Sequence, residues 1–213
     1  MSETFSNILA AVEAVKRGDM VLVCDDENRE NEGDIIIAAE KITPDHINFM
    51  MTHARGLICL PMSTHMLDRL GIPMMVGSHA NKSQYETAFT VSIDAATGVT
   101  TGVSAHDRAH TTLTAIHPNT TSADLTMPGH MFPLRARDNG VLERAGHTEA
   151  SIDLAKLAGC SAAAVICEIM AENGRSANRE ELAAFAKKHR IPMIDIHTLI
   201  AYRKAQVKNT TAI

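Results

Sequence analysis

The chain has 213 residues, 45% of them hydrophobic and 21% charged, with a net charge of −5. That length buries a sizeable core, and with no Gly/Ser tract, Pro run or internal repeat a single domain over 1–213 is expected. The acidic balance and the 3% aromatic content exclude a basic or base-stacking nucleic-acid binder, and no apolar run approaches the roughly 18 residues of a membrane span. The first 14 residues carry Glu3 and Glu13 and lack the basic start of a signal peptide. The four cysteines (24, 59, 160 and 167) show no metal-type spacing and mostly sit in apolar runs, so buried, reduced thiols and a cytoplasmic location are expected. Twelve methionines stand in for the scarce aromatics as core fillers.

Taken in order, residues 6–17 read as an amphipathic helix with Ile8, Leu9, Val12 and Val15 on one face and Gly18 to end it. Residues 20–24 and 35–39 are short runs rich in β-branched residues, hence buried strands. Thr43-Pro44 opens a helix that runs to about Arg55 and stops at Gly56. A strand at 57–61, a helix at 63–70 ended by Gly71, and an irregular loop at 72–87 follow. Residues 88–93 read as a strand and 97–103 as a Gly/Thr turn. Ser104, with Asp107 three residues on, starts a helix that ends near Ile116. Residues 117–132 read as a second irregular loop and 133–136 as a short strand. Helices at 148–157, 179–188 and 198–204 alternate with strands at 163–168 and 193–196. About seven strands interleave with about seven helices. Some strands are wholly apolar, so the sheet is covered on both faces, and adjacent strand-to-strand neighbours make it mixed. The fold class is α+β, a three-layer α-β-α sandwich with a mixed sheet of about seven strands.

The most unusual stretch is Asp25-Asp26-Glu27-Asn28-Arg29-Glu30-Asn31-Glu32-Gly33-Asp34, where six acidic residues and a single Arg lie between two buried strands. Carboxylates crowded on one short loop repel, and a hard divalent ion that takes oxygen ligands offsets them. An acidic surface turn has the same composition. The stretch is not an EF-hand: counting from Asn28 puts Gly33 sixth but Ala39 twelfth.

Three further constellations stand at strand ends or helix starts, where open sheets present ligands. Gly98-Val99-Thr100-Thr101-Gly102-Val103-Ser104 offers backbone N–H groups and hydroxyls to an anion, or is a plain turn and cap. Arg144-Ala145-Gly146-His147-Thr148-Glu149 opens a helix with a guanidinium, a glycine, a hydroxyl and an imidazole. Pro128-Gly129-His130 pairs in principle with Glu168, whose place at the end of an apolar strand raises its pKa by desolvation or lets it emerge into water. A phosphate cradle, an oxygen-rich metal loop and acid/base groups suit a phosphorylated sugar that chelates a divalent ion. That chemistry covers isomerisation, aldol cleavage and rearrangement.

Over roughly residues 5 to 203 the chain resembles the 3,4-dihydroxy-2-butanone 4-phosphate synthases of riboflavin biosynthesis. The resemblance rests on the acidic stretch 25–34, on Phe89-Thr90-Val91-Ser92-Ile93, on Gly98-Val99-Thr100-Thr101-Gly102, on Pro128-Gly129-His130-Met131-Phe132-Pro133-Leu134-Arg135-Ala136 and on Gly146-His147-Thr148-Glu149-Ala150. It implies a lyase that converts D-ribulose 5-phosphate to 3,4-dihydroxy-2-butanone 4-phosphate and formate. It also implies Mg²⁺ or Mn²⁺, with two divalent ions per site, and a homodimer with sites near the interface. By position, Glu30 and His147 look like the metal ligands. Arg29, Glu32 and Asp34 contact substrate or metal-bound water. Arg144, Ala145, Gly146 and Thr148 hold the phosphate, with Thr101 beside them from the same or the other subunit. His130 and Glu168 match catalytic positions, and Cys59 matches a thiol near the site. Gly174-Arg175-Ser176-Ala177-Asn178 departs from the family's usual Gly-x-Met-Ala-Arg, which bears on packing of the late helix rather than on the site. Many relatives carry a fused cyclohydrolase-like domain, for which a chain ending at Ile213 leaves no room. A metal-dependent sugar-phosphate isomerase or aldolase, and a non-enzymatic ion or sugar-phosphate binder, are the competing readings. Formate release separates them.

Overall fold

A computed structural model describes residues 3–211. One seven-stranded sheet runs through them, with strand order β4-β5-β3-β6-β2-β1-β7. The strands are β1 (Val21–Cys24), β2 (Gly33–Ala38), β3 (Cys59–Met62), β4 (Ile93–Ala95), β5 (Leu125–Arg135), β6 (Ala164–Glu168) and β7 (Met193–Asp195). The helices are α1 (Glu3–Arg17), α2 (Pro44–Phe49), α3 (Thr64–Leu70), α4 (Ala105–Ile116), α5 (His147–Leu157), α6 (Arg179–His189) and α7 (Ile196–Thr211). The sheet is mixed: β1–β7 and β3–β5 are parallel, and the other pairs are antiparallel.

Alternation along the central strands makes the three layers. Val21, Val23, Ile36 and Ala38 point into a core shared with α1, α5 and α7. Leu22, Cys24, Ile35 and Ile37 point into the opposite core, shared with α2, α3, α4 and α6. Residues 35–38 are buried on both faces, so their sequence is unbroken apolar rather than alternating. Each such Ile contributes about 1.5–3 kcal/mol by leaving water. The caps expected at Thr43 and Ser104 form, and two more are added at Ser63 and Asn178. Thr43, Ser63, Ser104 and Asn178 each accept a backbone N–H at the start of α2, α3, α4 and α6.

Three expectations fail. Residues 117–132 are not an irregular loop throughout, because β5 begins at Leu125 and runs eleven residues, so His130 lies in a strand. The Pro128-Gly129 pair masked it, since both residues interrupt a strand pattern. Residues 88–92 do not form a strand. They make only isolated bridges, Phe89 to Leu134 and Met74 to Thr90, and the strand itself starts at Ile93. The helix expected to reach Arg55 changes at Met50 into a π-helical turn, Met50–Ala54, closed by Arg55 at φ 69°. No helix among the described residues is long and apolar enough to cross a membrane.

Candidate metal and anion site

The acidic loop joins β1 to β2 and is organised by its own first residue. Asp25 is buried. Its Oδ2 accepts the backbone N–H of Glu30 at 3.0 Å and Arg29 Nη1 at 2.8 Å, and its Oδ1 accepts the N–H of Glu32 at 2.9 Å. Asp26 makes a separate turn by accepting from the backbone and side chain of Asn28. The loop is thus folded around carboxylates, and Glu30, Glu32 and Asp34 are turned to one place.

His147, the first residue of α5, reaches that place. Its Nε2 lies 3.2 Å from the carbonyl oxygen of Val23, which only accepts, so Nε2 carries a proton. Nδ1 is left facing Glu30 Oε2 at 3.6 Å and Asp34 Oδ1 at 3.7 Å. Ligand-type atoms of Asp25, Glu30 and His147 lie within 4.8 Å of one another. Asp34 Oδ1 is buried and has no hydrogen-bond partner, a costly state for a carboxylate oxygen. Burial pushes Asp34 up to about 8. Burial alone would lower His147, but Asp34, Glu30 and Asp25 carry it up to about 9. Glu30, which burial would raise, is held below its ordinary value by His147 and Arg29. An orphaned oxygen, several converging carboxylates and an imidazole with its second nitrogen anchored fit a divalent cation.

Beside this cluster α5 begins at Gly146, with no side-chain cap, so its first N–H groups are open to an anion. Two guanidinium groups converge there: a Cβ added at Gly146 would lie 2.2 Å from Arg144 Nη1 and 3.1 Å from Arg29 Nη2. Arg144 is held by Glu149 Oε2 at 2.6 Å and by the carbonyl of Tyr85. The Tyr85 ring stacks under Arg29, 4.8 Å from the guanidinium carbon, and its hydroxyl donates to the Arg29 carbonyl. Loop 72–87 is therefore the outer wall of the site. A cavity of about 120 Å³ joins the parts and is lined by Arg29, Glu30, Glu32, Asp34, Cys59, Thr87, Phe89, Leu134, Arg144, His147, Thr148, Ile166 and Glu168.

Glu168 ends β6 and pairs in register with Asp34 of β2. Its Oε2 accepts the N–H of Leu57 at 2.7 Å, and burial pushes its carboxyl above the ordinary range. Burial also raises Cys59 well above the usual thiol value. Glu32 Oε1 accepts from Ser176 Oγ at 2.6 Å. The departure at 174–178 thus touches the site directly, correcting the expectation that it concerns only packing of the late helix.

Thr101 and His130 do not line this cavity. Turn 97–103 and residue 130 form a second cluster around Asp94, where His130 Nδ1 is 2.7 Å from Asp94 Oδ2 and Gly102 presses against both side chains. Ala145 is exposed beside Arg144. Sequence reasoning missed Asp25 as organiser, and also Tyr85 and Thr87, which arrive from a loop with no motif; Phe89 stands in a quoted motif but was given no place in the site. A larger cleft of about 920 Å³, lined in part by His53, Arg55, Ile169, Phe185 and His189, lies outside these groups.

Fold and site together define a three-layer α-β-α protein that sets a carboxylate–histidine cluster against an uncapped helix start flanked by two guanidinium groups. The sequence profile of the family described as 3,4-dihydroxy-2-butanone 4-phosphate synthase matches residues 9–202, and the chain belongs to that family. A Neisseria meningitidis serogroup A protein of that name is 53% identical over 189 residues, covering 89% of this chain and 52% of that protein. One from Pseudomonas aeruginosa is 53% identical over 192 residues, covering 90% and 52%. The chain spans about half the length of these curated relatives. A solved two-domain 3,4-dihydroxy-2-butanone 4-phosphate synthase from A. baumannii superposes with a TM-score of 0.88 at 46% identity, covering 92% of this chain and 57% of that one. Another, in complex with two magnesium ions, gives 0.86 at 40% identity, covering 92% and 95%.

Proposed function

We propose that this chain converts D-ribulose 5-phosphate to 3,4-dihydroxy-2-butanone 4-phosphate and formate, supplying the four-carbon unit for riboflavin. The observation that carries the reading is one small cavity lined both by Glu30, Asp34 and His147 of the carboxylate–histidine cluster and by Arg29, Arg144 and Thr148 at the start of α5. A phosphosugar with its phosphate on α5 brings its hydroxyls onto the carboxylate loop. Glu30 and His147 would hold Mg²⁺ or Mn²⁺, with Asp25, Glu32 and Asp34 around a pair of ions. The cation, when bound, supplies electrostatic stabilisation of the enediolate character that develops on the sugar oxygens.

The chain's own groups do the rest. Arg29, Arg144, Thr148 and the free N–H groups at the start of α5 fix the phosphate end. Glu168, desolvated and anchored through one oxygen by Leu57, takes the C3 proton with its other oxygen. Loss of the C1 hydroxyl then gives a diketone, a 1,2-shift rearranges the carbons, and C4 leaves as formate; water lost from C1 is balanced by water that enters before C4 departs. Glu32, held by Ser176, shares the proton transfers.

Thr101 and His130 lie outside their own chain's cavity, on a turn and a strand that leave Val103 and Met127 exposed. A homodimer in which they serve the neighbouring subunit's cavity accounts for both facts. Four unpaired cysteines suit the reducing cytoplasm. The test is formate release from ribulose 5-phosphate with Mg²⁺. Wild type should release formate, and folded Glu168→Gln should lose at least about a hundredfold in kcat. Sugar turnover without formate would indicate an isomerase or aldolase, and near-normal turnover by Glu168→Gln would remove Glu168 from its role.

A further inference from the structure

We propose that Asp94 is a positioning residue that fixes the tautomer of His130, so that Nε2 is the ring nitrogen free to accept a proton at the reacting sugar. The inference rests on the functional reading above, which gives His130 its catalytic place, and goes beyond it in naming the group that sets which nitrogen works.

Asp94 stands where β4 breaks register with β5, at an irregularity between Ile93 and Asp94. Bulges of this kind re-aim a side chain. Its two oxygens have two separate donors. Oδ1 accepts the backbone N–H of His130 at 2.9 Å, and Oδ2 lies 2.7 Å from the ring Nδ1. A carboxylate only accepts, so Nδ1 carries the proton and Nε2 holds the lone pair. Nε2 bonds none of the described residues, and 42% of the His130 side chain is exposed, against 11% for Asp94. The pair is therefore anchored at its buried end and open at its working end.

The clamp is built in layers. A Cβ at Gly102 would sit 2.1 Å from Asp94 Oδ2 and 2.5 Å from His130 Nδ1, with φ at +92°. Only glycine lets the turn close over the pair. Asp107 in turn holds that turn: its oxygens accept the N–H and hydroxyl of Thr100 and the N–H of Gly102. Gly129 N–H donates to Ser92 Oγ at 3.1 Å, fixing the residue before His130.

Asp94→Asn separates positioning from bulk structure. The backbone N–H of His130 can only donate, so the single amide oxygen is drawn to it. The amide NH₂ then faces Nδ1, which must accept, and the proton moves to Nε2. The shape is kept while the working nitrogen changes from acceptor to donor. The experiment is ¹⁵N–¹H correlation of the His130 ring at about pH 8.5, where an ordinary imidazole is neutral, with steady-state kinetics on ribulose 5-phosphate.

The wild-type ring is expected to show its proton on Nδ1, and Asp94→Asn to show it on Nε2. Asp94→Asn should lower kcat at least about tenfold with KM within about twofold, because the phosphate cradle is untouched. A wild-type proton on Nε2, or an Asp94→Asn ring unchanged from wild type, overturns the inference. Tautomer inversion with undiminished kcat overturns it as well, because the orientation then has no catalytic consequence. Absence of formate release by wild type, with the spectra as expected, would instead refute the functional reading and leave the clamp standing.

Discussion

At the residue scale the site crowds more carboxylates than its cationic groups can neutralise. Glu30 Oε2 sits 2.6 Å from Arg29 Nη1 and 3.6 Å from His147 Nδ1, while the nearby Asp34 Oδ1 has no hydrogen-bond partner. Such an arrangement gains most from a cation, and the gain can be read as stability. Mg²⁺ at about a hundred times its Kd adds ~2.7 kcal/mol to folding, or roughly 5–10 °C in Tm for a chain of this size. Glu30→Gln keeps the shape and removes the charge. Its Mg²⁺ affinity should fall at least about tenfold, so the same Mg²⁺ concentration should give less than about half the wild-type rise in a thermal melt. A full-sized rise in Glu30→Gln would take Glu30 out of the ligand set. Much of this cluster was legible in the sequence. The carboxylates of 25–34 are adjacent in the chain, and Glu168 and His147 each stand at the end of an apolar strand or the start of a helix. Asp25 was legible as an acid but not as the group that folds the loop, because that depends on backbone N–H groups five and seven residues on. Tyr85 and Thr87 carried no local signal, since their role is to reach across to Arg29 and Arg144 from a loop of irregular backbone.

At the element scale, turns rather than helices decide where the second cluster lies. Turn 97–103 has little packing of its own, and the side chain of Asp107 gathers it. Hydrogen bonds from the Thr100 hydroxyl and N–H and from the Gly102 N–H hold Asp107 at about 2, below its ordinary 3.8. A carboxylate whose folded pKa is depressed stabilises the fold above its unfolded pKa and loses that contribution as pH falls through the folded value. The turn should therefore be firm above about pH 4 and loosen between about 4 and 2. Hydrogen exchange of the Thr100 and Gly102 amides, compared with core amides of β2, is the measurement. Wild type should lose protection at the turn across that window, and Asp107→Asn should show the loosened turn already at neutral pH. Equal protection in both proteins would mean that the turn is held by something else. The Ser104–Asp107 cap was legible as a helix start, because cap chemistry is local. β5 was not. Its Pro-Gly pair reads as loop, and the pairing that makes it a strand, Phe132 opposite Cys59 and Met131 opposite Ile93, comes from residues far away in the chain.

At the scale of the whole molecule the sheet order keeps the two clusters apart. β1, β2 and β6 lie together at one side of the sheet and carry the carboxylate cluster at their ends, with α5 docked above. β4 and β5 lie at the other edge and carry Asp94 and His130. The layering and the mixed sheet were legible, because period and apolar runs report burial; the strand order was not, because order is set by which surfaces fit. If the two edges complete each other across a dimer, then His130→Ala and Glu168→Gln damage different halves of the same composite site. Each variant alone has only broken sites. In a dimer containing one of each, one site combines the intact cluster of the first chain with the intact His130 of the second, and the other site carries both lesions. Random pairing after co-refolding makes about half the dimers mixed, each with one good site of two, so activity should return to about a quarter of wild type. Formate release by the mixture, set against the sum of the two separate variants, is the measurement. A mixture no better than that sum would place His130 and Glu168 in the same chain's site and end the case for exchange between subunits.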